Sequence, residues 1–310
     1  MNREQTEEKI KWIKDTFERK LAYELNLLRV SGPMIVPQNG INDDLGGLNS
    51  VTFNTEAGEV EIVQSLAKWK RMRLKGFDTS KFTGIYVDMN AIRPNEKADY
   101  LHSYYVDQWD WEKIISDKNR SIQYLESIVE IIHKIINSYF DNDHKYNEYP
   151  FFIKSKTLYQ KYPELTPKER EYEIVKECGV VFIEQIGKEL PDGSIHDVRA
   201  SDYDDWEFNG DLLYWSYSLQ QPIEISSMGI RVNKDSLKKQ LKIKNELYKT
   251  KLDYHKAILN DELPLTIGGG IGQSRLCMLI MGSKHIGQVQ ASVWPKSEIQ
   301  WCKERGIRLL

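Results

Sequence analysis

Two pairs of strand-like runs stand beside each other in this chain with no helix between their members. "GIYVDMNAI" (84–92) and "SYYVDQWDW" (103–111) are separated only by the polar stretch "RPNEKADYLH". "DLLYWSYSL" (211–219) and "PIEISSMGIRV" (222–232) are nearly contiguous. Each run is β-branched or aromatic and bounded by Gly, Pro or Asn, so each pair predicts an antiparallel hairpin. Further strands are expected at "VEIVQSL" and "GVVFIEQI". Strands that do not alternate regularly with helices predict an α+β fold with a mainly antiparallel sheet, not a doubly wound parallel one.

Helices fill the remainder. Ile10, Ile13, Phe17, Leu21 and Leu25 recur at spacings of three and four and form one apolar stripe. Ile122, Leu125, Ile128, Ile132 and Ile135 form a second. "TPKE" at 166–169 announces a third helix: Thr166 as N-cap, Pro167 at the first helical position, Glu169 closing a capping box, and Gly179 as the stop. A basic helix is expected from about Lys234 to Leu259.

With 310 residues, no repeat and no linker, the chain reads as one domain over 1–310. It is 40% apolar and 29% charged, as ordinary globular proteins are. No apolar run approaches a membrane span, and "MNREQTEEKIKW" is not a signal peptide, so the expectation is a cytoplasmic protein with no membrane contact. A net charge of −3 gives no global field for nucleic acid. Cys178, Cys277 and Cys302 are widely spaced and odd in number, which argues against a disulfide framework or a zinc site.

Chemistry concentrates where polar residues interrupt strands, because a buried charge needs a partner. In "VDQWDWE", alternation puts Gln108, Asp110 and Glu112 on one face and Asp107, Trp109 and Trp111 on the other. "IEISSMGIR" adds Glu224, Ser226, Ser227 and Arg231. "DYDDWEFNGD" adds Asp202, Asp204, Asp205 and Asp211. "SLAKWKR" adds Ser65, Lys68, Lys70 and Arg71, and "AIRPNE" adds Arg93. Carboxylates with a few fixed cations suit Mg²⁺ and a polyphosphate; the alternative is surface charge on an open sheet. "TIGGGIGQSRL" (266–276) matches neither a P-loop nor a dinucleotide fingerprint. It reads as a Gly-rich turn, free to take positive φ or to approach a ligand closely, that opens a buried helix "RLCMLIM" and places Arg275 about one turn inside it.

A strand, an arginine at the start of a loop, a return strand, and later a glycine-rich segment with a helix and a second arginine resemble motifs two and three of class II aminoacyl-tRNA synthetases. "SLAKWKR", "MNAIRPNE", "LHSYYVDQWDWE", "DVRASDYDDW", "NGD", "SSMGIRV", "TIGGGIGQSRL" and "HIGQVQASVWP" resemble, in order from about residue 30 to 295, the asparagine synthetase A family of aspartate–ammonia ligases. The resemblance implies a class II synthetase-like core that uses ATP, Mg²⁺, aspartate and ammonia through a β-aspartyl-AMP intermediate. It implies Arg93 on the α-phosphate and Arg275 over the adenine or the distal phosphates, with Gly270, Gly272 and Leu101 also at the nucleotide. Asp211 and Glu224 become the Mg²⁺ ligands. Asp43, Ser65, Lys70, Asp204, Ser226, Ser227 and Arg231 become candidates for gripping the amino acid. Gln108 would sit near the acyl phosphate and Asp110 near the amino-acid end, with Asp43 or Asp110 taking a proton from ammonium. A homodimer would use the first helix and "SGPMIVP".

The match departs at Asn49, where the family is acidic, at Gln64, where it has His, and at residues 206–209, where it carries a longer loop. These changes keep the ATP side and leave the acceptor side open. Two alternatives follow: a paralogue that passes an adenylated amino acid to a different amine, and a non-catalytic amino-acid sensor.

Overall fold

The computed structural model describes residues 2–43, 49–141 and 146–310. The Asp-Asp-Leu-Gly turn that precedes Asn49 lies largely outside them. Strands are β1 (Leu27–Arg29), β2 (Ile35–Pro37), β3 (Thr52–Thr55), β4 (Gly58–Ile62), β5 (Gly84–Ile92), β6 (Tyr105–Ile114), β7 (Phe151–Lys154), β8 (Val180–Glu184), β9 (Asp204–Ser216), β10 (Gln221–Arg231) and β11 (Thr266–Gly272). Helices are α1 (Arg3–Leu25), α2 (Ala67–Arg73), α3 (Ile122–Asn137), α4 (Ser155–Lys161), α5 (Pro167–Cys178), α6 (Lys234–Ile243), α7 (Asp253–Leu259), α8 (Gln273–Met281) and α9 (Lys296–Glu304).

Among the described residues, eight strands form one sheet in the order β1-β5-β6-β11-β10-β9-β8-β7. Only the two edge pairs, β1–β5 and β7–β8, are parallel. Both expected hairpins are present, β5–β6 and β9–β10. "VEIVQSL" contributes to β4, which lies instead in a separate small sheet, β2-β4-β3. The position of the shortened loop is not a loop at all: residues 204–216 run as one continuous strand.

One face of the large sheet is apolar. Trp109, Trp111, Leu212, Tyr214, Met228, Ile267 and Ile271 pack there against α1, α3 and α8. The α1 stripe is the expected one, Ile10, Ile13, Phe17, Leu21 and Leu25, all buried. The capping box of α5 is also as read, with Thr166 and Glu169 reciprocally bonded and Gly179 at the C-cap. The opposite face is covered only at its ends. α4 and α5 cover β8 and β9, while α2 and the small sheet pack against β5. Its middle is left open and polar.

Two sequence expectations are corrected. The basic helix over 234–259 is broken into α6, a short 3-10 segment (Leu247–Lys251) and α7. Asn245 adopts left-handed φ of 57°, which ends α6 and turns the chain. The glycine run 268–272 is not a turn but most of β11, at the centre of the sheet, and none of its glycines has positive φ.

Candidate active site

The reason for glycine in β11 is space. Gly268 pairs with Glu112 and Gly270 with Asp110, so their missing side chains face the open middle of the sheet. A Cβ at Gly268 would lie 2.1 Å from Glu112 Oε2 and 2.5 Å from an Arg231 nitrogen; at Gly270 it would lie 2.4 Å from Gln108 Oε1. The strand is bare so that side chains from β6 and β10 can lie across it. Above this floor is a cavity of about 420 Å³. Arg93, Leu101, Gln108, Asp110, Ser65, Asp204, Glu224, Ser227, Arg231, Gly270, Gly272 and Arg275 all line it. Alternation along β6 holds in its middle, where Gln108 and Asp110 reach the cavity and Trp109 and Trp111 are wholly buried; at its ends it is corrected, since Asp107 also borders the cavity and Glu112 is wholly buried under Arg231.

At one end of the cavity two arginines converge. Arg93 begins the β5–β6 loop, where its N–H donates to the Tyr104 carbonyl at 2.8 Å. Its guanidinium makes no side-chain hydrogen bond among the described residues, and Nε is buried without a partner. Burial and the neighbouring Arg275 charge depress its pKa. Arg275, in the first turn of α8, donates to the Glu224 carbonyl at 3.1 Å and stands 3.7 Å from the Glu224 carboxylate. Burial disfavours the Glu224 anion, but Arg275, Arg199, Lys168 and Arg93 outweigh it and hold the pKa below normal. Two like charges kept together, one of them unpaired, make a place for a polyanion.

Asp211 lies beside this cluster but not on the cavity wall. Its Oδ2 accepts from Arg199, while Oδ1 is buried without a hydrogen-bond donor. Burial, with Glu224 and Asp197 nearby, lifts its carboxyl to about 7 against the pull of Arg199. A β-bulge between Glu224 and Ser226 lets both Glu224 and Ser227 face the cavity. Ile225 is the unpaired residue of the bulge; Ser226 pairs with Leu212 and Ile271, and its hydroxyl donates to the Gly270 carbonyl at 2.9 Å, off the wall.

The other end is built from buried ion pairs. Arg231 grips Glu112 (Nε–Oε1 and Nε–Oε2, each 3.0 Å; Nη2–Oε2, 2.7 Å) and also pairs with Asp204. Lys70, fully buried, donates to Asp110 at 2.5 Å and to the Trp111 carbonyl at 3.1 Å. It acts on the cavity through Asp110 and does not line it. Asp43 is also off the wall. It accepts from Ala67 N–H at 2.8 Å and Lys68 N–H at 3.4 Å, capping α2, whose own N-cap position is Leu66. Gln64 Nε2 donates to the Asn49 carbonyl at 3.2 Å, and neither residue lines the cavity. These two departures from the family pattern therefore bond to each other away from the cavity.

Arg199, within "DVRASDYDDW", has no role in the family resemblance set out above. Arg199 lines the cavity and donates to Ser227 Oγ at 2.9 Å and to Asp211. The available signal was a lone arginine between Asp197 and Asp202 in an otherwise acidic segment. Glu96, His102 and Tyr203 on the wall were missed as well.

The family model described as aspartate–ammonia ligase matches residues 4–306. Among curated proteins, the aspartate–ammonia ligase of Pediococcus pentosaceus is 49% identical over 320 residues, covering 99% of this chain and 95% of that protein. Those of Fusobacterium nucleatum and Bacillus cytotoxicus are also 49% identical, covering 99% and 98% of this chain and 97% of each relative. Among solved structures, asparaginyl-tRNA synthetase of Entamoeba histolytica in complex with asparaginyl-adenylate superposes with a TM-score of 0.66 at 15% identity, over 93% of this chain and 66% of that one. That of Pyrococcus horikoshii gives 0.65 at 14% identity, over 94% and 70%. The chain thus spans about two thirds of the length of these synthetases, and at such identity the likeness is one of fold: a class II synthetase-like core.

Proposed function

The chain belongs to the aspartate–ammonia ligase family, and from that premise we propose that it makes asparagine from aspartate, ammonia and ATP. A β-carboxylate oxygen of aspartate attacks the α-phosphorus, and pyrophosphate leaves. Ammonia then attacks the acyl carbon of the resulting β-aspartyl-AMP, and AMP departs. Relatives at 49% identity over nearly the whole chain leave no need for a transfer to another amine or a non-catalytic sensor.

The observation that carries the reading is the convergence of Arg93 and Arg275 in one cavity above a glycine floor. In-line displacement at phosphorus needs positioning and charge neutralisation more than covalent chemistry. Arg93, with no protein anion bonded to it, is free for the α-phosphate, and Arg275 for the adenine face or the distal phosphates. Gly270, Gly272 and Leu101 let the nucleotide lie against backbone. Gln108, stretched over Gly270, offers its amide to the acyl phosphate. Arg231, Asp204, Ser65 and Ser227 hold the amino acid, with Lys70 fixing Asp110 from below, Asp43 capping α2, and Ser226 supporting from β10. Asp110 is the better of the two candidate bases for ammonium, since it lines the cavity while Asp43 caps α2.

The residues present fit a magnesium ion. Asp211 and Glu224 supply hard oxygens, and Asp211 Oδ1 is a buried oxygen without a donor. Among the described residues no group of three or more acidic, His or Cys side chains could hold a metal. That suits an ion that takes one or two carboxylates plus substrate phosphates. When bound it would neutralise charge on the polyphosphate.

The protein is also read as one domain and as a cytoplasmic homodimer. α1 exposes Trp12 and Tyr23, and the segment entering β2 exposes Met34 and Ile35, on the surface where the family resemblance puts the partner. Aspartate-dependent exchange of pyrophosphate into ATP, run across the amino acids, tests the reading. Exchange with aspartate alone supports it, and exchange with none or with another amino acid contradicts it.

A further inference from the structure

α8 has no side-chain cap of its own, because its N-cap is Gly272. The missing acceptor comes from β6. Asp107 Oδ1 accepts from the backbone N–H of Ser274, the second residue of the helix, at 3.1 Å. Asp107 Oδ2 accepts from the Ser274 hydroxyl at 2.9 Å and from the Lys14 ammonium of α1 at 2.8 Å. Gln290 closes the group: its Nε2 donates to Ser274 Oγ at 3.0 Å and approaches Asp107 Oδ1 at 3.5 Å. Asp107 is 5% exposed. A buried carboxylate is sustained here by an ammonium partner and by the positive end of a helix.

The next residue in the same turn is Arg275. A cation at a helix N-terminus opposes the helix dipole, and this one also stands near Arg93. The turn that presents Arg275 is therefore under electrostatic load, and Asp107 is the anion that anchors it. Burial opposes the Lys14 charge, but Asp107 outweighs it and raises the lysine pKa, so the ammonium is kept at neutral pH.

We propose that Asp107, held by Lys14, is a positioning residue that fixes the first turn of α8 and so aims Arg275 at the bound nucleotide. The proposal rests on the reading of Arg275 as a nucleotide ligand. The test measures aspartate-dependent pyrophosphate exchange in full-length Asp107→Asn, Lys14→Met, Lys14→Arg and Arg275→Ala, with KM for ATP and for aspartate taken separately. Asp107→Asn is expected to raise KM for ATP by about tenfold or more, the size of effect that misplacement of a binding group produces, while KM for aspartate changes less than about twofold. Lys14→Met should do the same more weakly, and Lys14→Arg should restore the wild-type value. If Asp107→Asn does not fold, Lys14→Met decides alone. A folded Asp107→Asn or, failing that, Lys14→Met with unchanged KM for ATP, alongside a crippled Arg275→Ala, overturns the positioning role and spares the nucleotide reading. An active Arg275→Ala with wild-type KM for ATP overturns both.

Discussion

Arg93 and Arg275 meet in one cavity, and both were singled out in the sequence by resemblance to the class II motifs. In the structure Arg93 has a buried Nε without a partner, whereas Arg275 stands 3.7 Å from the Glu224 carboxylate. Arg93→Ala and Arg275→Ala should each abolish adenylate formation while circular dichroism stays native; each removes a charge-assisted contact of roughly 1.5–3 kcal/mol in binding, and more in the transition state. Glu224→Gln should raise the Mg²⁺ concentration needed for half-maximal exchange, since an amide is a weaker ligand for a hard cation. An unchanged Mg²⁺ titration would remove Glu224 from the metal. Arg199 was not legible because its importance comes from its partners. Asp211 and Ser227 lie 12 and 28 residues away along the chain, and nothing local signals that they meet.

At the scale of elements, β11 shows what composition alone leaves open. A glycine run suggests a turn, yet these glycines form a central strand because Glu112, Arg231 and Gln108 need the room above it. Two alanine substitutions should separate the causes. At Gly270 the obstruction is the flexible end of Gln108, so Gly270→Ala should fold with little loss of stability but lose activity as Gln108 is displaced. At Gly268 the obstruction is a buried ion pair that cannot move aside, so Gly268→Ala should cost about 3 kcal/mol in urea unfolding. The hairpins and α1 were legible since their patterns are periodic; the break at Asn245 was not, since lysine-rich helical spacing continues on both sides of it. A second element-scale prediction concerns β8 and α3. Burial, with Glu126 adding to it, lifts the Glu184 carboxyl to about 7 from an ordinary 4.5. A carboxyl raised in the folded state contributes stability that is complete below about pH 4.5 and is lost as pH rises through about 7. Glu184→Gln should therefore be more stable than wild type above pH 7, by roughly 1–3 kcal/mol, and the gain should vanish toward pH 4.5. Equal gains at both pH values would exclude this cause.

For the whole molecule, the sheet is closed on one face by α1, α3 and α8 and left open in the middle of the other, and that opening is the candidate site. The fold class was legible because strands cluster without intervening helices. The depth of the site was not, because Asp43, Lys70 and Asp211 lie behind the cavity wall, which sequence spacing cannot distinguish from lying on it. The central claim is that a β-carboxylate oxygen of aspartate forms the bond to the α-phosphorus, and that ammonia then breaks the acyl C–O bond and leaves that oxygen on AMP. It is tested most directly with aspartate carrying ¹⁸O in that carboxylate, incubated with enzyme, ATP, Mg²⁺ and ammonium, and read by mass spectrometry. The account predicts asparagine retaining one labelled oxygen, AMP gaining the other, and unlabelled pyrophosphate. Formation of ADP and phosphate, or asparagine appearing with no label in AMP, would contradict it.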